Sequence, residues 1–179
     1  GQLSFAAGKV SGITGPNGLG KSQLVAYLSG ILEDKQATIR FQGQTLSAKE
    51  RLAKTSLVLQ DVGLQLFSES VLKEVNLGHE QHPETAVVLE RLALTDLLER
   101  HPASLSGGEQ QRVMIAASLL SGKEILIFDE PSSGLDLRQM QALSSLLKDV
   151  KSQDKVVILI SHDEELLTDV CDSIYHMSP

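Results

Sequence analysis

The stretch that decides the fold reads Gly15-Pro16-Asn17-Gly18-Leu19-Gly20-Lys21-Ser22 and fits G-x-x-x-x-G-K-[ST] without a gap. Glycines let the backbone curl until successive amide hydrogens point inward at a phosphate, and a following helix adds the positive end of its dipole. Lys21 can reach the β- and γ-phosphates of a nucleoside triphosphate, and the Ser22 hydroxyl can bind Mg²⁺. The pattern therefore predicts a phosphate-binding loop, against the alternative of an ordinary glycine-rich turn.

The regions on either side of this loop predict an α/β fold with a largely parallel sheet, because short apolar runs alternate with helical stretches. Residues Leu3-Ser4-Phe5 also alternate like a strand. Strands are predicted at Val10–Thr14, Ala37–Phe41, Ser56–Leu59, Ile125–Phe128 and Val156–Ile160. Helices are predicted at Ser22–Ser29, Ser106–Leu120, Asp136–Lys148 and Glu164–Val170, with a helical, polar segment between Ser70 and Arg100.

Two carboxylates, Asp129 and Glu130, follow the apolar run Ile125-Leu126-Ile127-Phe128. In open α/β sheets, ligands bind at the carboxyl ends of the strands. Asp129 can hold Mg²⁺ directly or through water, and Glu130 can then polarise a water for attack on a γ-phosphoryl group. A bound cation would also help to keep two neighbouring acids ionised. The alternative is a polar strand end that leads into a turn at Pro131.

The composition of the 179 residues argues against several classes of protein. Sixteen Lys and Arg residues against 23 Asp and Glu residues give a net charge of −7, which argues against a general nucleic-acid binder. The single cysteine, Cys171, excludes a disulfide framework and a multi-cysteine metal site. No uncharged run exceeds eleven residues, whereas a membrane-spanning helix needs roughly twenty. We therefore expect a folded globular protein of the cytoplasm.

A third motif, Leu105-Ser106-Gly107-Gly108-Glu109-Gln110-Gln111-Arg112, opens a long predicted helix shortly before Asp129. Together with the two motifs above, in this order, it resembles the nucleotide-binding domain of ABC-type transporter ATPases. The resemblance covers nearly the whole chain and implies one ABC ATPase domain over residues 1–179. It implies a P-loop NTPase core with a mostly parallel sheet flanked by helices, a small helical subdomain inserted at 61–104, and part of an antiparallel β subdomain.

The third motif also has a physical interpretation of its own. Ser106 is a predicted helix N-cap, and Gly107 and Gly108 leave backbone amides bare, so the helix start is either a second anion site or a capped start without a ligand. In the family resembled, the ligand is the γ-phosphate of ATP bound by the opposite subunit. The resemblance therefore implies a head-to-tail dimer with a second ABC ATPase domain, identical or different. Ser133-Gly134-Leu135-Asp136 matches the family's loop that crosses to the second subunit, which puts Asp136 among the nucleotide-binding residues.

Three further positions take their roles from the resemblance. Gln60 ends the Ser56–Leu59 strand, and its amide is implied to touch Mg²⁺ and the attacking water. His162 follows the Val156–Ile160 strand and is implied to contact the γ-phosphate. Taken alone, a glutamine and a histidine at these positions would be ordinary surface residues. Gln23 stands where the family usually carries a second hydroxyl residue, and its longer amide can still donate a hydrogen bond to the α-phosphate.

The segment Asp61–Val75 indicates a branch of the family. It is similar to the glutamine-helix segment of energy-coupling-factor and cobalt/nickel-type importer ATPases, whose pattern includes Gln65-Leu66-Phe67. In that branch the segment lines a groove for a helix of a membrane-embedded scaffold subunit, so the resemblance implies a transmembrane partner that docks near Gln60–Val75. Leu64, Leu66 and Phe67 are unusually apolar for a loop, which suits such a groove or the closure of the domain's own core.

These observations lead to two function hypotheses. The first is an ATP-binding and ATP-hydrolysing subunit of an ABC membrane importer, located through its transmembrane partner at the cytoplasmic face of the membrane, with ATP and Mg²⁺ as ligands. The alternative is a soluble ABC-type ATPase that acts on ribosomes or DNA without a membrane partner. The acidic balance and the Gln65-Leu66-Phe67 segment favour the importer and no nucleic acid. An inactive ATP-binding partner is less favoured because Glu130 and His162 are both present.

The start of the sequence predicts that this chain is a piece of a longer one, shortened at both ends. Residue 1 is glycine rather than methionine, and only 14 residues precede the phosphate loop. The family places an adenine-stacking aromatic residue roughly 25 residues upstream of that loop, so Phe5 is too close to serve.

Overall fold

The computed structural model describes residues 2–34, 37–78 and 82–178. The strands are β1 (Lys9–Thr14), β2 (Arg40–Phe41), β3 (Gln44–Thr45), β4 (Thr55–Val58), β5 (Ile125–Asp129), β6 (Val156–Ile160) and β7 (Ser173–His176). The α-helices are α1 (Lys21–Ser29), α2 (Ala48–Lys54), α3 (Val71–Val75), α4 (Thr85–Arg91), α5 (Gly107–Leu120), α6 (Leu137–Val150) and α7 (Glu164–Val170). Short 3₁₀ helices lie at Val62–Leu64, Thr95–Leu97, Pro102–Ser104 and Lys151–Gln153.

Five strands form one sheet in the order β4-β5-β6-β1-β7, and every neighbouring pair in it is parallel. β2 and β3 form a separate antiparallel pair. The α/β class with a mostly parallel sheet is therefore confirmed. Parallel neighbours require crossover connections, and α1, α5, α6 and α7 are parts of those connections.

Helices cover both faces of the sheet, which explains why β6 and the first four residues of β5 are all apolar. Along β5, Leu126 and Phe128 belong to the core cluster that contains residues of α5, α6 and α7. The alternate residues Ile125 and Ile127 belong to the cluster on the other face, with Val25 of α1. A strand buried on both sides has no polar face, so its sequence loses the alternation of a half-exposed strand.

The register of the sheet brings four strand ends to one edge. Val58 of β4 pairs with Phe128 of β5, and Asp129 pairs with Ile160 of β6. Ile160 in turn pairs with Ile13 near the end of β1. Because all these strands run in the same direction, the residues that follow them meet at the carboxyl edge of the sheet.

The segment between β4 and α5 is built from short helices. α3 packs against α5, and the amides of Val71 and Leu72 donate to the carbonyls of Arg100 and Leu98, which joins the two ends of the segment. Residues 79–81 of the predicted helical segment lie outside the described residues. The division of the chain at 61–104 stays a prediction.

The structure corrects three details of the sequence interpretation. Residues Leu3-Ser4-Phe5 do not form a strand. The predicted strand Ala37–Phe41 is reduced to the two residues of β2. Helix α2, strand β3 and strand β7 were not predicted at all. The other predicted strands and helices are present, with ends shifted by at most two residues.

The longest α-helices in the described ranges, α5 and α6, have 14 residues each. None of the helices there combines the length and the apolar character that a membrane crossing requires.

Candidate functional site

The phosphate loop connects β1 to α1 through a backbone that only glycine adopts easily. Gly18 and Gly20 have φ angles of +85° and +88°, in the left-handed region. Gly15 has a φ of +150°, and a Cβ there would lie 2.7 Å from the carbonyl oxygen of Met177. The loop therefore requires glycine for its conformation at all three positions and, at Gly15, for space as well.

The ammonium group of Lys21 lies over the loop from which it emerges. Its Nζ donates to the carbonyl oxygens of Gly15 and Pro16, at 2.6 and 2.9 Å. Helix α1 begins at this lysine after Gly20, which supplies no side-chain cap, and its first turn carries no acidic residue. The amides of this turn and the lysine charge are therefore left for an anion, which is the arrangement that phosphate requires.

Asp129 ends β5 in a half-buried position. Partial burial raises the pKa of its carboxyl group, the neighbouring Glu130 charge raises it further, and the Lys21 ammonium lowers it. Because the Lys21 ammonium offsets only part of the cost of two neighbouring negative charges, the carboxylate pair favours a bound cation. Asp129 and the exposed hydroxyl of Ser22 are hard oxygen donors of the kind that Mg²⁺ prefers. The chemistry of these two donors therefore fits a magnesium ion, which would supply positive charge beside the phosphates.

Glu130 is held in an unusual conformation directly after the strand. Its φ is +51°, and its amide donates to the carbonyl of Ile160 at 2.9 Å. Its Oε2 accepts from the Ser161 hydroxyl at 3.4 Å and from the His162 amide at 3.3 Å. Within the described residues, its Oε1 is buried and accepts no hydrogen bond. The acceptor capacity of that oxygen is therefore unused, which is what a general base requires.

His162 follows β6 and joins two of the predicted site residues. Its Nε2 lies 2.9 Å from Oδ1 of Asn17 in the phosphate loop and 3.4 Å from Oε1 of Glu130. The second distance is a close approach without hydrogen-bond geometry. The structure therefore brings the phosphate loop, the carboxylate pair and the histidine together at one edge of the sheet.

Gln60 and Gln23 lie near this edge but make fewer contacts. Gln60 is exposed and lies two residues after Val58. The strand partner of Val58 is Phe128, which lies two residues before Glu130, so Gln60 and Glu130 follow neighbouring strands at equivalent positions. Gln23 is exposed on the first turn of α1, and a Cβ on Gly20 would lie 3.3 Å from its Oε1. Its side chain therefore folds back towards the phosphate loop. The metal-binding role of Gln60 and the α-phosphate role of Gln23 stay predictions.

Ser106, Gly107 and Gly108 form the start of α5. Ser106 is the N-cap, as predicted, and shares a reciprocal pair of hydrogen bonds with Glu109. Among the described residues, the Ser106 hydroxyl bonds to this helix rather than to the phosphate loop. A Cβ on Gly108 would lie 2.9 Å from the carbonyl oxygen of Gly134. The α5 start and the 133–136 loop therefore form one continuous surface.

Asp136, at the end of that loop, caps α6. Its Oδ1 accepts from the amide of Gln139 at 2.8 Å, and the Gln139 side chain accepts from the amide of Asp136 at 3.1 Å. Asp136 is exposed, so its carboxylate can also meet a second subunit. Its nucleotide-binding role stays a prediction.

The apolar segment after Gln60 divides between the core and the surface. Leu66 packs against the core, whereas Leu64 and Phe67 are 77% and 80% exposed. A shallow, open groove lies beside Phe67 and is bordered by Leu77. Closure of the domain's own core therefore explains Leu66 but leaves Leu64 and Phe67 unexplained.

Sequence reasoning missed the residues that hold this segment in place. The Gln65 side chain accepts from the amide of Leu59 and donates to the carbonyl of Leu57, both at 2.9 Å. Glu74 is only 3% exposed, and its Oε2 accepts from the amides of Phe67 and Ser68 at 3.0 and 2.7 Å. Neither role has a local signal, because each partner is a backbone group several residues away.

Ser161 was also missed, although its signal was present. It is a fully buried polar residue between the apolar strand β6 and His162. Its hydroxyl donates to Glu130 and accepts from the amide of Asp163 at 3.0 Å. A small hydroxyl residue at the carboxyl end of a buried strand is a reasonable candidate for such a supporting role.

A family model described as "ABC transporter" matches residues 2–133. The chain belongs to the ABC transporter family. Its ATPase domains bind and hydrolyse ATP, so the nucleotide of the phosphate loop is identified as ATP. The ABC family also accounts for the order of the motifs along this chain.

Named relatives agree with this membership. A putative ABC transporter ATP-binding protein of Treponema denticola is 45% identical over 98% of this chain and 36% of its own length. The energy-coupling factor transporter ATP-binding protein EcfA2 of Mycoplasma pneumoniae is 35% identical over 98% of this chain and 63% of its own length. The chain therefore spans about a third to two thirds of these two ABC relatives.

A solved ABC structure shares the fold. The cbiO1 protein of Clostridium perfringens, described as part of the ABC transporter complex cbiONQ, superimposes with a TM-score of 0.78 at 30% identity. The match covers 98% of this chain and 76% of that one. The P-loop core and its flanking helices are thus the ABC ATPase fold.

Proposed function

We propose that this chain is the ATP-hydrolysing domain of an ABC membrane importer of the energy-coupling-factor kind. The observation that carries the proposal is the convergence of Lys21, Asp129, Glu130 and His162 at the carboxyl edge of one sheet. The names of the Mycoplasma and Clostridium relatives support the importer branch. The transported solute would be selected by other subunits.

The residues of this edge would divide the work of hydrolysis. The amides of the phosphate loop and Lys21 would bind the phosphates, and Gln23 would reach the α-phosphate. Asp129, Ser22 and Gln60 would hold Mg²⁺, which supplies charge neutralisation on the phosphate oxygens.

Glu130 would accept a proton from the attacking water at its free Oε1 while Ser161 and His162 hold its Oε2. His162 would donate from Nε2 to the γ-phosphate. The groups are fixed by strand ends and a glycine-rich backbone, so they need little reorganisation when ATP arrives.

The surface formed by Ser106–Gly108 and the 133–136 loop would complete the site of a second ABC ATPase domain. Its exposed helix start offers amides and a hydroxyl to a phosphate, and among the described residues it makes no hydrogen bond to this chain's own loop. Two domains in head-to-tail orientation would therefore hold two ATP molecules between them.

The exposed Leu64 and Phe67 support a docking role for the Gln60–Val75 segment. Gln65 and Glu74 hold the segment to the rest of the domain, so the two apolar side chains project from a fixed support. An apolar helix of a transmembrane scaffold subunit would cover them. The protein would then act at the cytoplasmic face of the membrane without crossing it.

The decisive experiment uses Glu130→Gln in the full-length protein. The amide cannot take the proton, so turnover should be lost while ATP still binds and stabilises a dimer, measured by phosphate release and by light scattering with ATP. Glu165→Gln, on the exposed side of α7, is the matched control and should hydrolyse ATP normally. Normal turnover in Glu130→Gln would remove Glu130 from its assigned role.

A second experiment tests the membrane partner. Phe67→Asp places a charge in the proposed contact and should prevent co-purification with a transmembrane scaffold subunit. Leu52→Asp changes an exposed leucine on α2 and should leave that association intact. Association of the wild type with ribosomes or nucleic acid, and with no membrane protein, would favour a soluble ABC-type ATPase instead.

A further inference from the structure

Asn17 is the one side chain of the phosphate loop that reaches across to His162 among the contacts of the described residues. Its Oδ1 lies 2.9 Å from His162 Nε2, although the two residues are 145 positions apart in sequence. The His162 side chain is about half exposed, so burial alone does not fix its ring. Its backbone is fixed through the amide contact with Glu130 Oε2 at 3.3 Å. The ring orientation therefore depends on what Nε2 contacts.

We propose that Asn17 is a positioning residue that sets the orientation and the tautomer of the His162 ring. The inference rests on the proposed function for its catalytic consequence, but its structural part does not require ATP. Asn17 would act through His162 and would not itself take part in the reaction.

The tautomer follows from the two groups around Nε2. Asn17 Oδ1 and Glu130 Oε1 both only accept hydrogen bonds. A neutral imidazole carries its proton on one nitrogen, so two acceptors beside Nε2 place the proton there. Rotation of the Asn17 amide by 180° would present an NH₂ group and leave the Nε2 lone pair facing the Glu130 carboxylate. That arrangement is repulsive, so the orientation with Oδ1 towards the ring is favoured.

This tautomer is the one that the proposed reaction needs. Without nucleotide the single Nε2 hydrogen is donated to Asn17 Oδ1, and the γ-phosphate of ATP would share or take over this hydrogen. The other tautomer would present a lone pair to an anion. Because Asn17 is part of the phosphate loop, its contact with the imidazole makes the position of the His162 ring depend on the position of that loop. An orienting partner for a catalytic imidazole is a recurring feature of enzyme sites.

Two substitutions separate this role from simple packing. Asn17→Leu has nearly the same size but no acceptor, whereas Asn17→Asp keeps an acceptor in the same place. If Asn17 sets the tautomer, the two should behave differently towards His162. If it only fills space, they should behave alike.

The first measurement is the pair of imidazole nitrogen chemical shifts of His162 without nucleotide, at about pH 8.5, where an ordinary imidazole is neutral. Wild type and Asn17→Asp should show the shifts of one tautomer with hydrogen on Nε2. In Asn17→Leu the two shifts should move towards each other as the tautomers mix. His82 and His101 are internal controls, since Nδ1 of each accepts a backbone amide, at 3.2 and 3.1 Å, far from Asn17 in the sequence.

The second measurement is ATP hydrolysis by the full-length protein. Asn17→Leu should lower kcat by roughly two- to tenfold, the effect of one lost hydrogen bond, and change the KM for ATP less than about twofold. Asn17→Asp should show the opposite pattern, with kcat closer to wild type and a raised KM, because its charge repels phosphate. Such a split between kcat and KM would not arise from general loss of structure.

Unchanged His162 shifts in Asn17→Leu, or a loss confined to KM, would overturn the inference. Absence of hydrolysis in wild type would instead overturn the proposed function, and the chemical shifts would still test the role of Asn17. The two failures are therefore distinguishable.

Discussion

Two helix starts in this molecule are prepared for anions in opposite ways. Helix α1 begins after Gly20 with no side-chain cap and no acidic residue in its first turn. Helix α5 begins with Ser106, whose amide donates to Glu109 Oε2 at 2.8 Å and whose hydroxyl accepts from the Glu109 amide at 3.3 Å. The first start leaves its backbone donors open, and the second satisfies part of them within the chain.

The difference indicates which start depends on a ligand. The open backbone amides at the start of α1 gain partners only when a phosphate arrives, whereas the Lys21 ammonium is held until then by the Gly15 and Pro16 carbonyls. The start of α5 is ordered by its own capping box, so it can serve as a preformed surface for a nucleotide held elsewhere. The helix start in this chain's own nucleotide site therefore needs a ligand to satisfy its backbone amides, whereas the helix start offered to a partner is already ordered without one.

The largest expected effect tests the open start. Lys21→Met removes the ammonium group but keeps most of the apolar stem of the side chain. We expect ATP binding to weaken by roughly a hundredfold, since a charge-assisted hydrogen bond to phosphate is lost, as measured by calorimetric titration. Unchanged ATP affinity would mean that Lys21 remains with the Gly15 and Pro16 carbonyls and contributes nothing to the bound state.

A smaller effect tests the capped start, and the molecule supplies a matched control. Ser47 and Glu50 form a capping box on α2 with the same two backbone-to-side-chain distances, 2.8 and 3.3 Å. Ser106→Ala and Ser47→Ala should each lower the Tm by about 3 °C through loss of the cap. Only Ser106→Ala should also reduce ATP hydrolysis, by roughly tenfold, because only Ser106 would meet a phosphate.

The comparison between the two serines decides the role of Ser106. If both variants lose the same amount of Tm and both hydrolyse ATP at the wild-type rate, Ser106 is a structural cap and does not contact phosphate. A loss of hydrolysis in Ser47→Ala as large as that in Ser106→Ala would mean that the assay reports stability rather than phosphate contact.

The smallest expected effect concerns the stability of the nucleotide-free protein. Folding raises the pKa of Asp129 through burial and the Glu130 charge, so the ionised carboxylate is less favourable in the folded state than in the unfolded state. Stability is therefore lost as the pH rises through the range above the ordinary Asp pKa of about 3.9. Asp129→Asn cannot ionise and should have a higher Tm than wild type at pH 7.

The same variant contains its own control. The Tm difference between Asp129→Asn and wild type should shrink as the pH is lowered towards 3.9, because the wild-type carboxyl group is then protonated as well. Magnesium-dependent ATP hydrolysis should be lost at every pH. A lower Tm for Asp129→Asn at pH 7 would contradict the assigned charge balance.

The sequence predicted the regular part of the fold because its signals are local. The glycine-rich loop, the apolar strands β5 and β6, and the start of α5 are each encoded within fewer than ten neighbouring residues. Strand direction and the carboxyl-edge rule then place Asp129, Glu130 and His162 at the same edge without further information. The contact between Asn17 and His162 could not be predicted, because it joins distant residues and depends on the register of β1 and β6.

Helix α2 was missed because its pattern of burial is inverted. Arg51 is its buried residue, with hydrogen bonds to the Leu46 and Leu32 carbonyls, whereas Leu52 is 53% exposed. A search for an apolar stripe therefore finds nothing, although Ser47 and Glu50 carry a capping-box signature. The buried guanidinium also lies over the Tyr27 ring, with its Cζ 5.0 Å from the ring centroid, so this tyrosine packs within the domain.

The strand predicted at Leu3-Ser4-Phe5 was wrong because side-chain contacts, rather than backbone pairing with another strand, hold this segment. Phe5 packs edge-on against the Tyr175 ring, and the Tyr175 hydroxyl donates to the Ser4 carbonyl. Side-chain contacts with β7 therefore hold this segment, and its alternating pattern reflects one apolar contact rather than a ladder of backbone hydrogen bonds.

The position of β1 between β6 and β7 has a consequence for how the protein is made. The ribosome releases β1 before β6 and β7. Lys9 therefore cannot pair with Val156, and Thr14 cannot pair with His176, until those later strands have been synthesised. Until then the nascent polypeptide carries an unpaired strand that is mostly buried in the folded protein, which is a site for misassociation or for chaperone capture. We therefore expect the nucleotide pocket to be among the last features to mature during synthesis.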